Sequence, residues 1–183
     1  MLGGILEAQV FDADQHAREL LDSDRAVHHE ITARFGPQAF GTDGRPDRAF
    51  LRELVFADSA QRVLLESILH PRIRERWIAL SEEVRSARET RWLIVDIPLL
   101  YETAVEANFD RVVVIACSES TQMNRLLAKR GLSRQIASKM IQSQIGLDTK
   151  IRRADYVIWN DSRPEHMREQ ALVLGSSLKA RYG

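Results

Sequence analysis

"QVFDADQHARELL", residues 9–21, runs from an apolar pair into two aspartates and then into a helical pattern. An apolar run that ends in carboxylates and turns into a helix reads as a buried strand. The carboxyl end of such a strand is where ligands bind in open α/β sheets. Asp12 and Asp14 stand at that turn. A carboxylate so placed accepts a proton from an attacking hydroxyl or holds the water shell of a magnesium ion. Aspartate there equally suits a plainer task, capping the helix that runs through Arg18. Strand periodicity leaves open which of the two faces the crevice, because the chain is already turning.

Working outward, "AQVFD" (8–12), "RWLIVD" (91–96) and "RVVVIAC" (111–117) are continuous apolar runs, and "DYVIWN" (155–160) is a shorter one. Runs without alternation suit strands covered on both faces, as in parallel sheets. Each is followed by a helical pattern, so the chain predicts an α/β fold with a parallel sheet. Ser118 is placed to cap "ESTQMNRLLAKR" and Gly131 to end it, while Ser133 and Gly146 frame a second helix. "SRPE" (162–165) has capping-box spacing ahead of the terminal helix.

Between the first two strands lie about 75 residues without a strand pattern, far beyond an ordinary crossover. They read as helices over "DRAVHHEITARFG", "DRAFLRELVFAD" and "SAQRVLLESILHPRIRERWIALSEEVRSARE", with "GTDGRP" as a turn. A helical insertion beside strand ends is a natural place for a second substrate. Pro71, following His70, predicts a break or kink in the longest of these helices. On its own pattern His70 reads as structural, and His28 and His29 as helix surface.

Lys plus Arg and Asp plus Glu number 26 each, so no global charge points to nucleic acid or a membrane surface. The single cysteine, Cys117, forms no internal disulfide and suits a reducing compartment. "MLGGILEAQV" has no basic leader region, and no run reaches the roughly 18 apolar residues of a membrane span. A cytoplasmic protein is expected. Asp96 closes the strand in "LIVDIPLLYE", where a strand-end acid can serve a magnesium ion in phosphoryl transfer or simply meet loop amides. Residues 118–153 hold eight basic side chains against Glu119 and Asp148, a net of +6 in a neutral chain. Much of that is solvated helix surface, yet its concentration beside strand ends suits polyphosphate. Without interleaved aromatics for base stacking, an RNA-binding module is disfavoured.

In order along the chain, "VFDADQHAREL", "FGTDGRPDRAFLRELVFAD", "LLESILHPRIRER", "DIPLLYET" and "RLLAKRGLSRQIASKMIQSQIGLDTKIRRADYVIWND" resemble the motifs of the dephospho-coenzyme A kinase family. The resemblance covers nearly the whole chain, and five motifs in order make it specific. It implies a single kinase-like domain over 1–183, a three-layer parallel sheet of the phosphate-loop kinase type. Residues 19–88 would be a helical coenzyme A insertion and 119–146 a helical lid. The implied reaction moves the γ-phosphoryl group of ATP to the ribose 3′-hydroxyl of dephospho-coenzyme A. By resemblance Asp14 is the base, Arg18 and His70 lie at the acceptor pocket, Arg130 or Arg134 approaches ATP, and Asn160 lies near its adenine. Asp12 and Asp96 would serve magnesium through water.

The family opens with a strand and a Gly-rich loop ending in Gly-Lys-Ser/Thr, whose amides and lysine cradle ATP. No G-x-x-x-x-G-K-[ST] occurs in these 183 residues, and "MLGGILEA" falls where the family has the end of its first helix. The expectation is therefore a kinase sequence truncated at its amino end, lacking the central first strand and inactive. The alternative is a nucleotide- or coenzyme A-binding protein without catalysis.

Overall fold

The computed structural model describes residues 1–87 and 92–183. In chain order it contains α1 (Leu2–Leu6), β1 (Gln9–Asp12), α2 (Ala13–Ser23), α3 (Arg25–Phe35), α4 (Arg48–Ala57), α5 (Ser59–Ser86) and β2 (Leu93–Asp96). There follow β3 (Val113–Ala116), α6 (Glu119–Arg130), α7 (Arg134–Gln142), α8 (Leu147–Arg153), β4 (Tyr156–Trp159) and α9 (Pro164–Tyr182). The expected strands are present but shorter, β1 and β2 trimmed at the start and β3 and β4 at both ends; Arg91 lies outside the described residues. The chain divides into two compact units, Gln9–Pro98 and Met1–Ala8 with Leu99–Gly183. Among the described residues no helix is long and apolar enough to cross a membrane.

In the 9–98 unit, β1 and β2 form a two-stranded parallel sheet with Phe11 opposite Val95 and Asp12 opposite Asp96. Asp12 caps α2, its Oδ1 accepting from Gln15 N at 2.9 Å. Asp24 caps α3 and Gly36 ends it in a positive-φ conformation (89°). Val27, Ile31 and Phe35, spaced by four, are the buried stripe of α3. Burying those three side chains contributes about 5–9 kcal/mol before the cost of ordering them. They share this helical layer with α5, which buries Ile68, Leu69, Ile73, Trp77 and Val84.

The break expected at Pro71 is absent: α5 runs unbroken through it. Proline removes only one backbone donor, and its ring pushes against the preceding turn. Arg72 Nη1 donates to Ile68 O at 2.6 Å in that turn, and flanking Ile68, Leu69 and Ile73 are buried. Packing on both sides of the proline holds the helix together.

In the other unit, β3 and β4 form a second two-stranded parallel sheet, Val114 opposite Val157 and Ala116 opposite Trp159. One face packs into a core of Tyr101, Val112, Val114 and Ala116, joined by Ile145, Leu147, Ile151 and Val157. Ser118 caps α6 and Ser133 caps α7, while Gly131 ends α6 with φ 62°, as the sequence predicts. Gly146 opens α8 instead of closing α7, which stops at Gln142. The capping box at 162–165 is not formed. Ser162 Oγ engages His166 Nδ1 at 3.0 Å, and Pro164, fixed near helical φ, starts α9 without a side-chain cap. α9 packs on α1 and β4, with Gly175 buried against Ile5, where a Cβ has no room.

Candidate active site

In the 9–98 unit, the parallel register brings Asp12 and Asp96 side by side as the last residues of their strands. Asp14 follows in the first turn of α2, exposed, with Arg18 one turn on and also exposed. Asp96 is exposed, yet desolvation by the surrounding chain, then the charges of Asp12 and Asp14, push its carboxyl above the ordinary pKa. Among the described residues no ion pair is made by Asp12, Asp14 or Asp96. Two hard carboxylates at that spacing suit a magnesium ion that keeps most of its waters. No three His, Cys, Asp or Glu side chains converge among the described residues, so a cage of direct ligands is not what this end of the sheet offers.

Behind the carboxylates, α2 is tied to α5. The His16 ring stacks on Phe11 with centroids 3.9 Å apart. Glu19 accepts from Gln15 Nε2 at 2.9 Å, lies 3.1 Å from His16 Nδ1 and meets Arg76 at 3.7 Å. His16, Glu19 and Arg76 carried no sequence signal, since Arg76 is 60 residues from His16. His70 is half-buried on α5, and no described contact joins it to Asp14 or Arg18. Arg48, in the "GRPDR" stretch, pairs with Asp22 at 2.7 Å.

In the other unit, the carboxyl ends of β3 and β4 are cross-linked. Asp161 accepts from Ser118 N at 2.8 Å and Ser118 Oγ at 2.9 Å, and its pKa is lowered first by the Thr121 hydrogen bond and then by those from Ser118. Arg125 Nη2 donates to Asn160 O at 2.6 Å and to Asn160 Oδ1 at 3.2 Å. Asn160 is thus held by Arg125. Arg130 and Arg134, at the end of α6 and the start of α7, are exposed and have no ion-pair partner among the described residues. Free guanidinium groups there remain available to a polyphosphate.

The chain matches the sequence profile of dephospho-CoA kinase over residues 4–165. It belongs to the dephospho-CoA kinase family. That family comprises ATP-binding transferases of coenzyme A biosynthesis. The dephospho-CoA kinase of Listeria monocytogenes is 35% identical over 162 residues, covering 88% of this chain and 80% of the relative. A crystal structure from Thermus thermophilus superposes with a TM-score of 0.73 at 28% identity, covering all of this chain (100%) and 91% of that one. The dephospho-CoA kinase structure from Campylobacter jejuni, at 24% identity and TM-score 0.69, covers 98% of this chain and 89% of its own, and shares the fold. The fold is that of the phosphate-loop kinases.

Proposed function

We propose that this protein acts in the transfer of the ATP γ-phosphoryl group to the ribose 3′-hydroxyl of dephospho-coenzyme A. The observation that carries the reading is the position of Asp14 in the first turn of α2, two residues past the paired end of β1 at Asp12. Asp14 takes the proton of the 3′-hydroxyl as its oxygen attacks the γ-phosphorus and ADP leaves. Asp12 and Asp96 would hold a magnesium ion through water, and the ion would supply charge neutralisation at the phosphates. Arg18, on the same face as Asp14 by its four-residue spacing, and His70 bind the acceptor within the helical insertion 19–88. Arg130 and Arg134 bind phosphate oxygens from a lid over 119–146, and Asn160, fixed by Arg125, borders the adenine. The setting proposed is the cytoplasm.

These 183 residues contain no Gly-Lys-Ser/Thr loop to cradle ATP. Loss of one preorganised donor in an electrostatic site costs about 10²–10³ in rate, and several are missing together. We therefore propose that these residues by themselves transfer no phosphoryl group, and that a chain with a phosphate loop ahead of Met1 does. A second reading is a nucleotide- or coenzyme A-binding protein without catalysis. ADP release with dephospho-coenzyme A, measured on the 183-residue chain and on a loop-bearing chain, separates them. Activity of the loop-bearing chain alone supports the kinase reading. Tight acceptor binding with both chains inactive supports the second.

A further inference from the structure

α6 and α7 pack on one another, yet α6 has no buried residue and α7 has only Ala137. With so little burial, this arm depends on polar anchors for a fixed position. Its amino end has them: Ser118 is bonded to Asp161, and Arg125 to Asn160. Its carboxyl end runs through Ser143–Gly146 into α8, and Gly146 gives α8 no side-chain cap. The anchor there comes from the segment after β2. Glu102 Oε1 accepts from Ile145 N at 2.9 Å and lies 2.8 Å from Lys150 Nζ, which also donates to Gln144 Oε1 at 3.0 Å. Both members of this pair are largely buried, at 17% and 14% side-chain exposure. One turn further, Glu106 pairs with Arg153, whose guanidinium lies over the Tyr101 ring, 4.5 Å from its centroid.

We infer that Glu102 is a positioning residue that fixes the α6–α7 arm, and with it the exposed Arg130 and Arg134, by holding the Ile145 turn and Lys150. A single carboxylate oxygen serves both the backbone of the turn and Lys150, the one lysine of α8. Removing it releases the arm's carboxyl end without touching the arm's own side chains. The consequence for ATP rests on the kinase reading above; the anchoring itself does not.

The test has two arms. In the 183-residue chain, amide exchange at Ile145 and tryptic cleavage after Arg130 and Arg134 are followed for Glu102→Ala, Glu102→Gln and Lys150→Met. Glu102→Ala is expected to speed both by about tenfold or more, the scale of a lost charge-assisted hydrogen bond. Glu102→Gln retains an acceptor for Ile145 N and keeps Ile145 exchange within about threefold of the parent, while Lys150→Met, which retains the Glu102 acceptor, loosens the turn less than Glu102→Ala does. In a loop-bearing chain, Glu102→Ala is expected to raise KM for ATP about tenfold with little change in kcat, and Glu102→Gln to restore most of it. Unchanged exchange in Glu102→Ala overturns the anchor, and so does equal loosening in all three variants. Raised exchange with unchanged KM overturns the positioning of the arginines. If the loop-bearing parent is itself inactive, the kinase reading falls, while exchange and cleavage still decide whether Glu102 fixes the arm. Should Glu102→Ala fail to fold, Glu102→Ser, tested the same way, takes its place.

Discussion

Asp12 and Asp96 end adjacent parallel strands and stand opposite one another in register. Each is the only one of its strand's charged residues, and Asp14 adds a third carboxylate within electrostatic reach of Asp96. The pairing places like charges side by side at the carboxyl ends of the two strands.

Desolvation of Asp96, and after it repulsion from Asp12 and Asp14, sets a pH dependence. Because the Asp96 pKa is raised on folding, the folded state binds a proton more readily than the unfolded chain. The contribution of Asp96 to stability is present below its unfolded value of 3.8 and is lost as pH rises through the folded value. Asp96→Asn should therefore raise the melting temperature at pH 7, and the gain should vanish below about pH 3.8. Thermal melts across pH check this; a destabilised variant at pH 7 refutes it.

Asp12 and Asp14 are expected to separate by role. Asparagine caps helices as well as aspartate does, so Asp12→Asn keeps the bond to Gln15 N and removes only charge. Carboxyl NMR titration should then show the Asp96 pKa falling, and added magnesium should lower it less than in the parent. Asp14→Asn in a loop-bearing chain should reduce kcat by about 10²–10⁴ with a smaller change in acceptor affinity. A near-normal kcat means that another group is the base.

Lys150→Met leaves Glu102 without its counter-charge. Burial alone would push the Glu102 carboxyl up; the Lys150 and Ile145 hydrogen bonds outweigh it and hold the pKa below 4.5. A lowered carboxylate pKa gives stability that is present above pH 4.5 and lost as pH falls through the folded value. In Lys150→Met the acid transition should move to higher pH. Leaving a largely buried carboxylate unpaired costs about 3 kcal/mol at neutral pH, or ~6–12 °C of melting temperature. Acid titration followed by circular dichroism and a neutral-pH melt check both parts.

Gln170 guards the outer edge of β4. Its side-chain amide accepts from Trp159 N and donates to Trp159 O, each at 2.9 Å, as a neighbouring strand would. Trp159 and Val173 are exposed beside it, at 44% and 72%. Gln170→Ala frees that peptide beside an apolar surface, and open strand edges pair with other chains. Concentration-dependent self-association by analytical ultracentrifugation is the expected result, and a monomer at every concentration contradicts it.

The strands, the caps at Ser118 and Ser133, the αL end at Gly131 and the acids at strand ends were all legible in the sequence. Each depends on residues within one or two turns of each other, where periodicity and cap chemistry act directly. Local rules failed where packing prevailed. α5 continues through Pro71 because buried Ile68, Leu69 and Ile73 hold both sides of it. At 162–165, His166 takes the Ser162 hydroxyl that the capping box required. Only the tertiary structure decided which charges meet. Register placed Asp96 beside Asp12, and folding brought Arg76 to Glu19, Arg125 to Asn160 and Lys150 to Glu102. These partners lie tens of residues apart, and no local period encodes which of many lysines and arginines will face a given carboxylate. Local sequence placed the acids at the ends of their strands; long-range packing chose their neighbours and so their electrostatics.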